Sequence, residues 1–233
     1  PYTVGPDLFR LVARIARERD LPLSTHLGES REESEFLARG EGPLATRLRA
    51  RGIAVRGTGL DPASYLASLG VLDGLRWVLA HGVHLPPEGL ARLGDAAIVL
   101  CPASNERLAV GTAPVASIYA SGLEVAIGTD GAVTDPAQDP FEAMRRVLAA
   151  GAPSPAAVVR SATLGGATAL GLSRRVGSIA PGKRADLVAL AVGPALSDPY
   201  ETVVRLGSPD RVVLTICGGR IVHQPRLEGT CRA

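Results

Sequence analysis

The stretch Leu21-Pro22-Leu23-Ser24-Thr25-His26-Leu27-Gly28-Glu29-Ser30-Arg31-Glu32-Glu33 puts a short apolar run, a histidine, a glycine and a cluster of acids in direct succession. Leu21 to His26 reads as a buried strand bounded by turn residues. Ser30 and Glu33 form a Ser-x-x-Glu capping box, in which a hydroxyl and a carboxylate satisfy amides at the start of a helix. Residues 27 to 29 are therefore a strand-to-helix turn. Upstream, Pro6 occupies a first-turn position, and Leu8, Leu11, Val12 and Ile15 recur at helical spacing within Asp7 to Asp20. That spacing predicts a helix whose apolar stripe faces the core.

The same alternation recurs along the chain. Arg76 to His81 (RWVLAH), Ala97 to Cys101 (AIVLC) and Glu124 to Asp130 (EVAIGTD) are compact apolar strands, each followed by polar, Gly or Pro residues. Helices are expected near Pro87, Pro114 and Pro140. Strands alternating with helices predict an α/β fold with a parallel sheet and crossover helices. His26, His81 and Asp130 all fall where their strands end, the edge where parallel α/β folds bind ligands and (β/α) barrels hold their catalytic groups.

Past residue 175 the texture changes. Gly177 to Asp186 (GSIAPGKRAD) is a turn-rich connector leading to Leu187–Val192, Val212–Cys217 and Arg220–His223, read as strands without long intervening helices. Gly218-Gly219 predicts a hairpin turn. The expected division is 1–175, a partial (β/α) barrel, and 176–233, part of a small β domain. A complete eight-stranded barrel takes about 250 residues, and only four strand-helix units precede the tail. Half a barrel leaves open edge strands, so the other half is expected in another segment, another chain or a truncated gene, and the written sequence is expected to begin inside a longer gene product.

Composition narrows the function classes. The 233 residues carry a formal net charge of +2 and are 46% hydrophobic. No run of five like charges appears, so neither a nucleic-acid patch nor a basic membrane-surface helix is indicated. No window supplies the roughly 18 apolar residues of a membrane span. Cys101, Cys217 and Cys231 are far apart and form no Cys-x-x-Cys pair, which predicts a reduced, cytoplasmic setting. Small molecules are the expected partners.

Taken as residue types alone, a His and a Glu three apart at one strand end, a His at a second and an Asp at a third suit a divalent ion with an open water position. Each also has a plainer reading: a hydrogen-bonded core histidine, a helix-dipole acid, or the turn aspartate of an Asp-Gly pair. Asn105 either caps a turn or contacts substrate. His84 is read as structural or rim-lining, Asp135 and Asp139 as solvated loop acids. Cys101 has no base at fixed spacing and is discounted as a nucleophile.

Thr25-His26-Leu27-Gly28-Glu29-Ser30, Ala80-His81-Gly82-Val83-His84-Leu85, Cys101-Pro102-Ala103-Ser104-Asn105 and Ile127-Gly128-Thr129-Asp130-Gly131 occur in the order seen in the metal-dependent amidohydrolase superfamily. The later Ser161-Ala162-Thr163 and Gly177 to Val188 segments extend the likeness over nearly the whole chain. The sequence resembles the aminohydrolase group, which holds adenosine-derivative deaminases and chlorohydrolases, and within it the aminodeoxyfutalosine deaminase branch.

The resemblance implies strands five to eight of a (β/α)8 TIM-like barrel. It makes His26 and Asp130 metal ligands, with Asp130 also able to take a proton from the bound water as attack begins, Glu29 the proton shuttle, and His81 either a further ligand or the group that orients water or substrate. It implies one divalent ion, Zn²⁺ before Fe²⁺ or Mn²⁺, and hydrolytic deamination of an aminated heterocycle. Chlorohydrolase or cyclic amide hydrolase chemistry is the enzymatic alternative. The expected partner is a homo-oligomer or a complementing N-terminal half. Family members also carry a His-x-His pair at barrel strand one, and this chain contains none. A catalytically incomplete or binding-only half-barrel is therefore the non-enzymatic alternative.

Overall fold

The computed structural model describes residues 1–194 and 196–225; Cys231 and the last residues of the expected β domain lie outside them. Four strands, β1 (Leu23–Leu27), β2 (Trp77–His81), β3 (Ala97–Leu100) and β4 (Glu124–Ile127), pair in parallel in the order β1-β2-β3-β4. Before β1 runs α1 (Pro6–Arg19). Between β1 and β2 lie α2 (Arg31–Arg39), α3 (Gly42–Arg49) and α4 (Pro62–Ser68). Then α5 (Pro87–Leu90) precedes β3, while α6 (Pro102–Arg107) and α7 (Val115–Ala120) precede β4. After β4 come α8 (Pro140–Ala149), α9 (Pro155–Arg160), a π-turn (Ser161–Gly165) and α10 (Gly166–Ala169). No helix among the described residues is long and apolar enough to cross a membrane.

Register fixes the two faces of this sheet. His26, Ala80, Val99 and Ala126 are neighbours across it, so they share one face. The opposite face presents Leu27, Leu79, Ile98, Leu100 and Val125, all buried beneath the helices. Each such large side chain contributes about 1.5–3 kcal/mol of burial. This is the layering of a half-barrel: helices outside, His26 inside.

Several boundaries moved. β1 begins at Leu23, because Pro22 has no amide to give the ladder, and it continues through Leu27, so His26 lies within the strand. β4 stops at Ile127, three residues before the expected end, because the backbone leaves the extended region by Asp130, whose φ is +64°. In α1 the buried side is Phe9, Ala13 and Ala16, while Leu8, Leu11, Val12 and Ile15 are 36–49% exposed. The helix has two apolar faces, and spacing does not say which one meets the sheet.

The C-terminal strands β5 (Leu187–Leu190), β6 (Val212–Cys217) and β7 (Arg220–His223) form an antiparallel sheet in that order. Gly218 and Gly219 turn the hairpin with φ of +57° and +79°, values open to a type I′ turn and natural to glycine. Contrary to expectation, a helix interrupts this module. α11 (Pro199–Leu206), capped by Asp198, packs on α8 and α9 and buries Val204 in the main core. Arg145 on α8 donates to the carbonyl of Gly207 at 2.8 Å.

The π-turn serves close packing. A Cβ on Gly165 would lie 2.2 Å from the carbonyl oxygen of Val125 in β4. Gly165→Ala gains about 1 kcal/mol of helix propensity, but the clash is with backbone and dominates. Net destabilisation of about 1–3 kcal/mol is expected, read as a lower urea midpoint at unchanged slope; an unchanged or higher midpoint would contradict this packing.

Candidate functional site

The site begins at the turn after β1. Gly28 has φ of +62°, and a Cβ there would lie 2.6 Å from the Leu85 side chain, so the loop after β2 is pressed against this turn. Two backbone bonds join the loops: His84 N donates to Gly28 O at 2.8 Å and Gly82 N to Leu27 O at 3.1 Å. Ser30 accepts from the amide of Glu33 as a capping box requires. The reciprocal half differs. The Glu33 carboxylate is 0% exposed and reaches past Ser30, accepting from Gly28 N at 3.0 Å and Glu29 N at 2.9 Å. Burial pushes its carboxyl above the ordinary carboxylate range, opposed by the Gly28 amide, which favours the ionised form.

His81 ends β2 with φ of +77°. Strict alternation would send its ring to the helical side with Leu79. The left-handed backbone breaks that alternation, and the ring stacks on His26 with centroids 5.3 Å apart and planes 20° from parallel. His81 is 0% exposed. Its Nδ1 lies 2.9 Å from Asn105 Oδ1, and its Nε2 lies 3.7 Å from Glu29 Oε1. That Nε2 is buried and has no hydrogen-bond partner. His26 itself is solvent-exposed on the inner face.

Asp130 follows β4 and is also exposed. Ser104 Oγ donates to its Oδ2 at 2.7 Å, and Thr134 Oγ1 donates to the same oxygen at 3.0 Å. Desolvation pushes this carboxyl upward, but bonds from Ser104, Thr134 and Gly131 together outweigh it, and the pKa falls below the ordinary aspartate value. Asp130 is thus held as an anion.

The remaining expectations divide. Asn105 is buried, and its Oδ1 lies 2.9 Å from His81 Nδ1. His84 is structural: its Nε2 lies 2.8 Å from the carbonyl of Val110, joining the loops after β2 and β3. Asp135 and Asp139 are not solvated loop acids. Asp135 is 5% exposed and accepts from the amide of Gln138. Asp139 caps α8 through Phe141 N and pairs with Arg145. Sequence reasoning missed Ser104 as a partner of Asp130, and it read Glu33 as an ordinary cap. Only the Ser104-Asn105 pair in the first turn of a helix following a strand hinted at the former.

The donors suit a divalent cation in type: two imidazoles, one of them with an orphaned buried nitrogen, and one ionised carboxylate. Among the described residues, however, no group of three His, Cys, Asp or Glu side chains gathers closely enough to hold an ion by itself. The structure brings His26 and His81 together; it turns the Asp130 carboxylate toward Ser104 and Thr134.

Residues 1–222 match the family model described as the amidohydrolase family. The chain belongs to the amidohydrolase family. It is 33% identical over 239 residues to a 5-methylthioadenosine/S-adenosylhomocysteine deaminase of Symbiobacterium thermophilum, covering 96% of this chain and 51% of that protein. A crystal structure of an adenosine deaminase from Xanthomonas campestris, determined with bound zinc, superimposes with a TM-score of 0.77 at 29% identity, over 95% of this chain and 49% of that one. Helicobacter pylori aminofutalosine deaminase, in complex with methylthio-coformycin, gives 0.77 at 22% identity over 93% of this amidohydrolase chain and 54% of that one, a likeness of fold. This amidohydrolase chain spans about half the length of the curated relatives it matches, as four strands of a TIM-like barrel followed by an antiparallel sheet.

Two outcomes test this geometry. Glu33→Gln replaces an acceptor by an NH₂ facing an amide, leaving a buried donor unmet at a cost of about 1–3 kcal/mol; equal thermal and urea stability would show that the clamp is dispensable. Burial raises the Cys101 thiol to about 12, and only the thiolate is nucleophilic. Iodoacetamide near pH 8 should label exposed Cys217 and leave Cys101 unmodified in native protein, as peptide mass spectrometry would show; rapid labelling of Cys101 would reverse this assignment.

Proposed function

We propose that this chain carries the acid-base half of a hydrolytic deaminase acting on an aminated nitrogen heterocycle of the adenosine-derivative class, with aminodeoxyfutalosine among the substrates to be tested. The observation that carries the reading is the meeting, at one sheet edge, of Glu29 Oε1 and the partnerless, buried Nε2 of His81, 3.7 Å apart. A buried polar atom without a partner calls for an explanation, and a catalytic role is one.

In this reading His26 and Asp130 hold a divalent ion, zinc before iron or manganese, with His81 beside them. Bound there, such an ion lowers the pKa of water toward roughly 7 and so provides a nucleophile at neutral pH. His81 Nε2 orients the attacking water. Asp130, kept anionic by Ser104 and Thr134, accepts a proton as attack begins. Glu29, a carboxylate at the start, receives that proton from Asp130 and delivers it to the ring nitrogen, then takes the second water proton from the new hydroxyl and delivers it to the departing amine. A C–O bond forms, the exocyclic C–N bond breaks, and ammonia leaves. The Glu33 clamp on the Glu29 amide aims that carboxylate.

The chlorohydrolase alternative keeps these residues and changes the leaving group. A non-catalytic reading, a half-barrel that needs a complementing His-x-His segment, is favoured by the lack of a three-ligand cluster among the described residues. Ammonia release from a panel of adenosine derivatives, in the presence of zinc, separates these readings. Glu29→Gln is expected to lower kcat by about 10²- to 10⁴-fold without loss of bound metal, whereas His26→Ala should lose the metal. No ammonia from any adenosine derivative, with chloride released from chlorotriazines, would transfer the assignment to the alternative; neither product and no bound zinc would leave the non-catalytic reading standing.

A further inference from the structure

β3 lies between β2 and β4, yet it ends in no catalytic side chain of its own, since Cys101 is buried with its thiol pushed up to about 12. The helix that follows, α6, supplies something else. Its consecutive residues Ser104 and Asn105 are both buried and point in different directions, as neighbours about 100° apart on a helix must. Ser104 reaches the end of β4, donating to Asp130. Asn105 reaches the end of β2, meeting His81 Nδ1 at 2.9 Å. The turn is pinned from both sides: Asn105 N donates to Cys101 O, and Asn105 O accepts from Val110 N, each at 3.1 Å.

We infer that Asn105 is a positioning residue that sets the tautomer of His81: its Oδ1 accepts the proton on Nδ1, leaving Nε2 with a free lone pair toward Glu29. The hydrogen bond made by one imidazole nitrogen decides which nitrogen carries the proton. With Nε2 unprotonated, Nε2 and the Glu29 carboxylate are two acceptors 3.7 Å apart. Such a pair calls for a donor or a cation between them. A water, a protonated substrate nitrogen or a metal ion all satisfy it, whereas an Nε2–H tautomer would close the gap with an internal hydrogen bond to Glu29. Asn105 thus keeps the site open. This inference deepens the proposed acid-base role of His81, but the tautomer is a property of the metal-free chain and is measured without turnover.

The experiment is a two-bond ¹H–¹⁵N correlation spectrum of the chain labelled at histidine, without added metal, at a pH where imidazoles are neutral. The His81 signals are assigned by their loss in His81→Gln. The expected result is a protonated-type Nδ1 and an unprotonated-type Nε2. In Asn105→Asp, where both side-chain atoms accept, the same pattern persists. In Asn105→Leu, of similar size but without an acceptor, the two nitrogens exchange classes or average. An unprotonated Nδ1 in the wild-type chain overturns the proposal, as does a switch of tautomer in Asn105→Asp, which would mean that the amide NH₂ had been the donor. If Asn105→Leu does not fold, the wild-type and Asn105→Asp spectra still decide. Failure of ammonia release would leave these spectra unchanged, so the two readings fail separately.

Discussion

Parallel pairing is the constraint from which the remainder of this structure follows. Two adjacent parallel strands are joined only by a crossover that returns the chain to the starting edge, so β1, β2, β3 and β4 all run the same way and all release their loops at one edge. His26, His81 and Asp130 lie up to 104 residues apart in sequence, counting from His26 to Asp130, and the topology alone delivers them to that edge. The helices that make the crossovers bury one sheet face. The inner face carries His26, Ala80, Val99 and Ala126.

Holding those residues in use is a separate problem, solved by strained backbone and buried polar partners. Gly28, His81 and Asp130 all have positive φ, and for the two non-glycine residues this costs on the order of 1–3 kcal/mol each. Such conformations persist only where the surroundings over-determine them. Here they do: Glu33 grips the amides of Gly28 and Glu29, His84 ties the turn after β1 to the loops after β2 and β3, and α6 reaches to both His81 and Asp130. The site is a set of loops locked to one another more than a set of side chains on strands.

The chain covers nearly all of itself but only about half of its relatives' length, and its own donors stop short of a three-ligand cluster among the described residues. What is present is chemically coherent, with an anionic Asp130, an orphaned imidazole nitrogen and a clamped glutamate. In the proposed reading, the groups assigned to proton transfer lie on this chain, while the resemblance places a further His-x-His ligand pair on barrel strand one.

Much of this was legible in the sequence. Short apolar runs, three of the four ending in His or Asp, alternating with helical spacing, determine a parallel α/β sheet with those residues at one edge, and Gly218-Gly219 determines a hairpin, because these signals are local and periodic. Three things were decided only by tertiary structure. Which face of α1 is buried depended on what it packs against, since Leu8 and Phe9 are equally apolar. The reach of Glu33, Ser104 and Asn105 depended on through-space distances that spacing does not encode. The turning of His81 toward His26 depended on a left-handed backbone that no sequence period predicts, because the hydrogen bonds that sustain it come from loops on neighbouring strands.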